Sequence, residues 1–287
     1  MPELPEVETI RRGLAPLVTG AVVVDAGSHP SAKFSPAVEA VGTAIESVDR
    51  RGKYLLLGLD DGRRLVVHLG MTGQLRVVEA GDPAGGGAPA GGEAGGDPGA
   101  GPDGGDPHDR AWWRFADGRQ LRFRDVRRFG RIAVVDRDLS GLPTLAALGP
   151  EPFDPAFTPE HLWARLRASR ARIKTQLLSQ RPVAGVGNIY ADEALWLAGG
   201  HPAARRLGRP GATRLHAAIV EVLASAIDHG GTTLRDYRTA LGDVGGNQLH
   251  LRCYGRGGEP CERCGTELRR AVYDGRGTTW CPRCQRR

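Results

Sequence analysis

The stretch MPELPEVETIRRGL, residues 1–14, opens the chain and predicts its first helix. Pro5 suits a first helical turn, because the N–H that proline lacks has no intrahelical partner at that position. Apolar residues then recur near helical spacing until Gly20, at Val7, Ile10, Leu14 and Leu17. The sequence therefore predicts an amphipathic helix close to the N-terminus.

Short apolar runs with glycine-rich turns follow this helix, as is typical of β-strands. The runs cover residues 53–59, 65–69, 112–115 and 121–123. Two dipeptides, Asp61-Gly62 and Asp117-Gly118, fit hairpin turns. We therefore expect the first half of the chain to be mostly antiparallel β-structure.

Residues 80–109 interrupt this half with a segment made almost entirely of Gly, Ala, Pro and Asp. Such a composition cannot bury enough apolar surface to offset the entropy lost on ordering. The sequence predicts a disordered insertion between two strands.

The charge of the chain is unevenly distributed. The insertion holds six acidic residues and no Lys or Arg, so the remaining residues carry a net charge of +12, against +6 for the whole chain. A basic surface attracts polyanions such as duplex DNA, although solubility alone also explains it. The chain has no run of eighteen apolar residues and no secretory signal at its start, so we expect a cytoplasmic protein, associated with the nucleoid when bound to DNA.

The second half reads as helical from Thr158, a suitable cap with Pro159 and Glu160 in the first turn. Further helices are predicted at residues 173–179, 188–198 and 213–229, with glycine stops at Gly199-Gly200 and Gly230-Gly231. Residues 139–155 carry several prolines and no clear period. We therefore place a hinge between the two halves there.

Four of the five cysteines form two pairs near the C-terminus, Cys261-x-x-Cys264 and Cys281-x-x-Cys284, separated by sixteen residues. Each pair places two sulfur atoms on one ion, and this spacing is typical of a four-thiolate zinc ribbon. Because the protein fills all four positions, we expect one structural Zn²⁺ ion and not a catalytic one. Cys253 lies outside the pairs and is interpreted as a spectator.

Pro2 becomes the first residue when Met1 is removed, which its small size favours. The freed secondary amine titrates near the ordinary α-amino range of about 7.7–8.0, so a fraction of it is nucleophilic at physiological pH. Its attack on the anomeric carbon of a nucleotide would displace the base and leave an iminium, which eases strand cleavage by elimination. Glu3 is one residue away and can shuttle protons, and Glu6 can orient the ring-opened sugar.

The full N-terminal string closely resembles the start of the bacterial formamidopyrimidine-DNA glycosylases, whose superfamily also includes endonuclease VIII. Apart from the insertion, the resemblance continues through both halves of the chain in the family's order. It is carried by RGKYL at 51–55, HLGMTG at 68–73, DVRRFG at 125–130, GVGNIYADEAL at 185–195 and YGR at 254–256.

The resemblance implies an α+β multi-domain fold. Its parts are an N-terminal antiparallel β-sandwich with flanking helices, a helical helix-two-turn-helix domain and a C-terminal four-cysteine zinc ribbon. The expected bounds are 1–138 for the catalytic sandwich with its insertion at 80–109, 139–155 for the hinge, 156–244 for the helix-two-turn-helix domain and 245–287 for the ribbon.

Carried over residue by residue, the resemblance implies that Pro2 is the Schiff-base nucleophile and Glu3 the general acid. Lys53 matches a lysine that assists the first elimination and contacts phosphate, where the alternative is an exposed lysine at a strand end. Arg276 lies in a turn between the cysteine pairs and matches a finger arginine associated with the second elimination. Its alternative is a solvated surface arginine.

An enzyme of this kind extrudes the damaged nucleotide, and something must fill the space left in the duplex. Met71, Arg127 and Phe129 match the residues that family members insert there. Without that likeness, Met71 and Phe129 read as core residues. The resemblance also implies phosphate contacts for Lys174 and Asn188. Asn188 begins a helix, where free N–H groups favour an anion, and an ordinary N-cap is its alternative role.

The resemblance implies two further assignments. His108 stands where the insertion ends and aligns with a DNA-contacting histidine. Residues 230–247 correspond to a loop that covers the extruded base in family members.

The function implied is base-excision repair of damaged double-stranded DNA by a monomeric, bifunctional DNA glycosylase and abasic-site lyase. Its substrates would be oxidised purines, such as 8-oxoguanine and formamidopyrimidines, with strand cleavage by β,δ-elimination. An endonuclease VIII-like enzyme for oxidised pyrimidines is one alternative, which Leu4 disfavours because those relatives usually carry glycine there. The other is a non-catalytic, zinc-dependent DNA-binding protein, which intact Pro2, Glu3 and Lys53 disfavour.

Overall fold

The computed structural model describes residues 1–79, 106–139, 141–234 and 237–286. The chain divides into two compact units. The first unit consists of Met1–Pro2, Glu6–Ala146 and Thr233–Gly245, and the second of Glu3–Pro5, Ala147–Thr232 and Gly246–Arg287. Thr233–Gly245 therefore groups with the β-rich unit, whereas the sequence placed it in the helical domain.

The N-terminal pattern forms the expected helix, α1, at Leu4–Val18. Its apolar stripe faces the core, because Val7, Ile10 and Leu14 are fully buried there while Leu17 is partly buried. The helix prediction is confirmed at both ends within a few residues.

Eight antiparallel strands form two four-stranded sheets in the described part of the first unit. The strands are β1 Val23–Ser28, β2 Ile45–Arg51, β3 Tyr54–Leu59, β4 Arg64–His68, β5 Gln74–Val78, β6 Asp109–Phe115, β7 Gln120–Arg124 and β8 Arg131–Val135. One sheet has the order β1-β6-β7-β5, and the other has the order β2-β3-β4-β8. A short 3-10 helix, Ser35–Ala40, and a one-turn helix, α2 at Pro143–Ala146, complete the unit.

Both predicted hairpins are present, one joining β3 to β4 and the other β6 to β7. Gly62 and Gly118 occupy their turns at φ of 85° and 90°, a conformation that glycine adopts at no steric cost. The two sheets share one core, into which Trp113 projects from one sheet and Leu57 from the other, together with the apolar stripe of α1. This shared core makes the unit a β-sandwich, as expected.

The insertion expected from composition lies, for residues 80–105, outside the described residues. Its last residues are described and ordered, so the prediction of disorder was wrong for them. Asp106 accepts a hydrogen bond from Arg124 Nε at 2.6 Å, and Asp109 begins β6 with a carboxylate 3.5 Å from Arg122. These partners lie on the neighbouring strand, and local composition does not reveal them.

The second unit is helical up to about residue 229. Its helices are α3 Pro159–Arg167, α4 Ile173–Leu178, α5 Asn188–Ala198 and α6 Arg209–Asp228. Thr158 caps α3, because its hydroxyl accepts a hydrogen bond from His161 N at 3.1 Å. The predicted stops are confirmed, with Gly199 and Gly230 at φ of 69° and 71°.

The C-terminal part of this unit is a small ribbon. A 3-10 helix, Asn247–His250, leads into it, and β9 Arg269–Tyr273 pairs with β10 Arg276–Trp280 as a hairpin. A separate small core joins the ribbon to α5, where Trp196 packs with Leu268, Cys253 and two of the paired cysteines. None of the helices in the described ranges combines the length and the hydropathy that crossing a membrane requires.

Candidate functional site

Glu3 lies at the N-terminus of α5 and is only 2 % exposed. Its carboxylate accepts hydrogen bonds from the backbone N–H groups of Gly187 at 2.6 Å and Ile189 at 2.9 Å. The first N–H groups of a helix have no intrahelical partner and carry partial positive charge, so an anion is stabilised there. Glu3, the candidate general acid, is therefore held in place by the fixed backbone N–H groups at the start of α5.

Gly185 allows the N-terminal segment to approach this helix closely. Leu4 N donates to Gly185 O at 3.1 Å. A Cβ atom at Gly185, where φ is 84°, would lie 2.5 Å from the Leu4 side chain. Any other residue at position 185 would push away the segment that carries Glu3.

The same contacts correct the expectation for Asn188. Gly187 is the N-cap and Asn188 the first residue of α5, so Asn188 is not the N-cap. The N–H groups that were predicted to be open to a phosphate are occupied by Glu3. The Asn188 side chain is partly exposed and donates from Nδ2 to Gly277 O at 3.1 Å. Its contact with DNA stays a prediction.

Lys53 lies in the two-residue turn between β2 and β3 in the first unit and is 3 % exposed. The alternative of an exposed lysine at a strand end is therefore wrong. Its positive charge acts on His68 at the end of β4. Burial, Lys53 and Arg131 lower the pKa of His68 from 6.5 to about 4, against a smaller opposing effect of Asp125. His68 is therefore neutral at physiological pH, a property that the sequence motif did not reveal.

Pro2 and Glu6 are also buried in the first unit. Tyr237, from the segment expected to be a loop over the base, is 6 % exposed and donates its hydroxyl proton to Glu6 O at 3.4 Å. Burial and the charge of Glu6 raise the pKa of Tyr237 well above its ordinary value. Sequence reasoning missed Tyr237, because a single aromatic residue in a polar segment shows no pattern.

Two loops carry the three residues predicted to enter the duplex, Met71, Arg127 and Phe129. Asp125 joins these loops, because its two carboxylate oxygens accept hydrogen bonds from the Thr72 hydroxyl and from Gly130 N, both at 2.6 Å. Thr72 in turn accepts a hydrogen bond from Arg127 N at 3.1 Å. The structure thus brings the trio together through one buried carboxylate.

The trio reaches the surface to different degrees. Phe129 is 50 % exposed, Arg127 is exposed and Met71 is partly exposed, so the core interpretation is wrong for Phe129. The Arg127 guanidinium carbon lies 4.9 Å from the centroid of the Phe129 ring. A Cβ atom on Gly70 would lie 2.4 Å from Gly130 N, so the two loops meet backbone to backbone.

His108 lies beside the same junction. Its carbonyl oxygen accepts a hydrogen bond from Asp125 N at 2.9 Å, and Arg110 Nε donates to Asp125 O at 2.9 Å. The His108 side chain is partly exposed. Its predicted contact with DNA is compatible with this place and stays a prediction.

Lys174 differs from the expectation. It is 1 % exposed, and its amine lies 2.7 Å from an Asp192 carboxylate oxygen that is equally buried. The amine also donates to Gly277 O and to Thr278 Oγ1, each at 2.9 Å. Burial lowers the pKa of Lys174 and raises that of Asp192, and their mutual attraction opposes both shifts. Contrary to the prediction, this amine has no surface to offer a phosphate.

Arg276 is exposed and is the first residue of β10. Asp274 and Gly275 precede it at positive φ of 49° and 76°, which makes the tight turn of the hairpin. Among the described residues, none forms a hydrogen bond or an ion pair with its guanidinium group. The side chain is therefore available to a ligand.

The four paired cysteines converge, and their sulfur atoms lie within 4.8 Å of one another. A tetrahedral zinc site with Zn–S bonds of about 2.3 Å needs sulfurs about 3.8 Å apart, so the cluster fits such an ion. The Trp196 indole donates to Cys261 Sγ at 3.4 Å, as outer partners of metal thiolates do. Cys253 is buried outside the cluster and donates its thiol hydrogen to Thr279 O at 3.1 Å.

Comparison with known proteins covers both units and the ribbon. The formamidopyrimidine-DNA glycosylase N-terminal domain matches residues 1–132, and the H2TH domain of the same glycosylase matches residues 148–238. A zinc finger found in FPG and IleRS matches residues 258–287.

The chain belongs to the formamidopyrimidine-DNA glycosylase family. A formamidopyrimidine-DNA glycosylase of Thermomicrobium roseum is 45 % identical over 301 residues, covering 99 % of each chain. The relative from Deinococcus radiodurans is 42 % identical and covers 99 % of this chain and 97 % of its own length.

Solved structures of the glycosylase family agree with this result. The crystal structure of the MutM (Fpg) protein from Thermus thermophilus aligns with a TM-score of 0.85 at 44 % identity, covering 99 % of this chain and 98 % of that one. A Lactococcus lactis Fpg variant in complex with Fapy-dG containing DNA aligns with a TM-score of 0.83 at 37 % identity, with full coverage of both chains.

Asp125→Asn should destabilise the junction of the two loops. An amide has one acceptor oxygen, so either the Thr72 hydroxyl or Gly130 N loses its partner in a buried place. The expected loss in the free energy of unfolding is about 1–3 kcal/mol, measured by denaturant titration. Asp61→Asn, in an exposed ion pair with Arg63, is the matched control and should cost below about 1 kcal/mol. Equal losses for the two variants would argue against the junction.

His68 should titrate far below an ordinary histidine. We expect an NMR midpoint near 4 for the wild type. Because the folded-state pKa is depressed, protonation favours unfolding, and stability should fall as pH drops from 6.5 towards 4. Lys53→Met should raise the midpoint only partly, since burial remains. A wild-type midpoint near 6.5 is incompatible with this environment.

Cys261→Ser should release the metal and unfold the ribbon, because three thiolates and a hydroxyl bind zinc far more weakly than four thiolates. Metal content by elemental analysis and DNA affinity by anisotropy are the measurements. Cys253→Ser is the control, and it should keep both. A Cys261→Ser protein that keeps its zinc would refute the zinc site, and a metal-free one with full DNA affinity would refute the need for a folded ribbon in DNA binding.

Proposed function

We propose that the chain is a bifunctional DNA glycosylase and abasic-site lyase that excises oxidised purines from duplex DNA. Relatives that match its full length carry the glycosylase name. Solved structures similar to this chain include a Lactococcus lactis FPG variant with Fapy-dG containing DNA and a MutM protein with carbocyclic 8-oxo-G containing DNA. The observation that carries the proposal is the anchored Glu3 carboxylate, because it directly follows Pro2 in the chain.

In the proposed reaction, Pro2 is the N-terminal residue and its neutral amine attacks C1′ of the damaged nucleotide. The new C–N bond replaces the glycosidic bond, and the Glu3 carboxylate takes up the proton that the attacking amine loses and passes it to the departing base. The C1′–O4′ bond then breaks, O4′ takes a proton from solvent through Glu3, and an iminium between Pro2 and the sugar results. Fixed N–H groups hold the Glu3 carboxylate in place, so proton transfer needs no rearrangement of that side chain.

The iminium then withdraws electrons from C2′, and loss of a C2′ proton expels the 3′ phosphate. Lys53 is proposed to assist this first elimination, and Glu6 to orient the ring-opened sugar. A second elimination expels the 5′ phosphate, and there Arg276 neutralises the charge that develops on the leaving oxygen. Hydrolysis of the remaining imine restores the free amine of Pro2.

Opening of the duplex is assigned to the trio on the joined loops. Phe129 is proposed to insert as an apolar wedge, Met71 to fill the vacated space and Arg127 to bond the orphaned base. Their partial exposure and shared anchor suit insertion as one rigid group. The energy needed to unstack a base pair is a few kcal/mol.

Contacts with the DNA backbone are assigned to Asn188 and His108, which are partly exposed. Lys174 is left out of this set, because its amine is buried in a pair with Asp192. The ribbon is proposed to hold one structural Zn²⁺ ion through its four cysteines, and the enzyme to act as a monomer on the DNA of the cytoplasm.

The main test is covalent trapping. Duplexes carrying 8-oxoguanine or thymine glycol are incubated with the protein, and borohydride is added to reduce any imine. An adduct with the purine lesion is expected. Preference for the pyrimidine lesion would instead support an endonuclease VIII-like activity. If neither duplex gives an adduct, although Met1 has been removed and zinc is bound, the result would support a DNA-binding protein without catalysis.

Pro2→Gly should lower the rate of trapping by about tenfold or more, since a primary amine replaces the cyclic secondary amine at the same place. Pro16→Ala, an exposed proline inside α1, is the matched control and should leave the rate unchanged. If chemical blocking of the terminal amine leaves the wild-type rate intact, Pro2 is not the nucleophile.

A further inference from the structure

The turn that presents Arg276 is fastened to the start of α4. The Asp274 carboxylate accepts hydrogen bonds from the Arg172 guanidinium and from the Thr175 hydroxyl. The Arg172 guanidinium carbon also lies 5.3 Å from the centroid of the Tyr273 ring. The residues before Arg276 are thus bound through one carboxylate that bridges two side chains of the same helical segment.

The residues after Arg276 are fastened separately. Gly277 O accepts hydrogen bonds from Lys174 Nζ at 2.9 Å and from Asn188 Nδ2 at 3.1 Å. Thr279 N donates to the Asp192 carboxylate at 3.0 Å. The backbone is therefore fixed on both sides of Arg276, whose guanidinium group forms no hydrogen bond or ion pair with the described residues.

We propose that Asp274 is a positioning residue for the second elimination, acting through Arg276. This inference rests on the role given to Arg276 in the proposed function. The Arg172–Asp274 pair is partly exposed, at 30 % and 40 % of the two side chains, so it adds little to stability. Its effect lies in geometry, because rates of charge-stabilised steps fall steeply when the stabilising group is displaced by about 1 Å.

The conformation of Asp274 makes a clean set of variants possible. Its φ of 49° lies in the left-handed region, which Asp, Asn and Gly tolerate better than other residues. Asp274→Gly removes both side-chain contacts while keeping the turn. Asp274→Asn keeps an acceptor for Thr175 and loses the charge that faces Arg172.

The experiment is single-turnover reaction of the full chain with a duplex carrying 8-oxoguanine. Base release, the first-elimination product and the second-elimination product are resolved on a gel. Asp274→Gly should slow the second elimination roughly tenfold while base release and the first elimination stay within about twofold. Asp274→Asn should give a smaller effect, and Arg172→Gln should add nothing to Asp274→Gly in the double variant.

Two control variants distinguish a failure of the role proposed for Asp274 from a failure of the role proposed for Arg276. Asp61→Asn removes an equal charge from a hairpin turn in the first unit and should leave the product ratio unchanged. Arg276→Ala tests the proposed function itself and should selectively remove the second elimination. If Arg276→Ala leaves the ratio unchanged, the role given to Arg276 fails.

If Arg276→Ala is selective but Asp274→Gly keeps the wild-type ratio, the positioning role is overturned while the proposed function stands. The same conclusion follows if Asp274→Gly slows all three steps equally with loss of zinc, because Asp274 would then support the ribbon only. A selective fall in the second elimination, with zinc content and DNA affinity unchanged, is the result that the inference requires.

Discussion

The seating of Glu3 on the first turn of α5 is the contact on which the candidate active site depends. Two backbone N–H groups at 2.6 and 2.9 Å bind its carboxylate, in a position where water scarcely reaches it. A helix start offers these donors in fixed directions, so the carboxylate is oriented before any substrate arrives. Because Pro2 precedes Glu3 in the chain, the same contact limits where the candidate nucleophile can lie.

Buried carboxylates bind backbone N–H groups at other places in the molecule as well. Asp125 ties the two loops of the proposed wedge through Thr72 and Gly130. Glu193 accepts hydrogen bonds from three successive backbone N–H groups, those of residues 252–254, where the chain enters the ribbon. Buried carboxylates that bind backbone donors keep loops in one arrangement, since breaking the contact would leave charged and polar groups unpaired.

Patterns that a short segment carries by itself were predictable from the sequence. Glycines follow α5 and α6 where expected, and the spacing of the four cysteines predicted that they cluster. Contacts between distant segments were not predictable. The Thr72–Asp125 bond joins residues 53 positions apart. Lys174 was expected to contact phosphate, because nothing near it in the sequence indicates that it is buried in an ion pair with Asp192.

In the proposed reaction, Pro2 itself forms the covalent bond to DNA. The most direct test is to digest the borohydride-reduced adduct with trypsin and locate the modified peptide by mass spectrometry. We expect the DNA remnant on the peptide of residues 2–11, attached to its first residue. Attachment to a lysine such as Lys53, or an adduct peptide that still begins with Met1, would show that Pro2 is not the nucleophile.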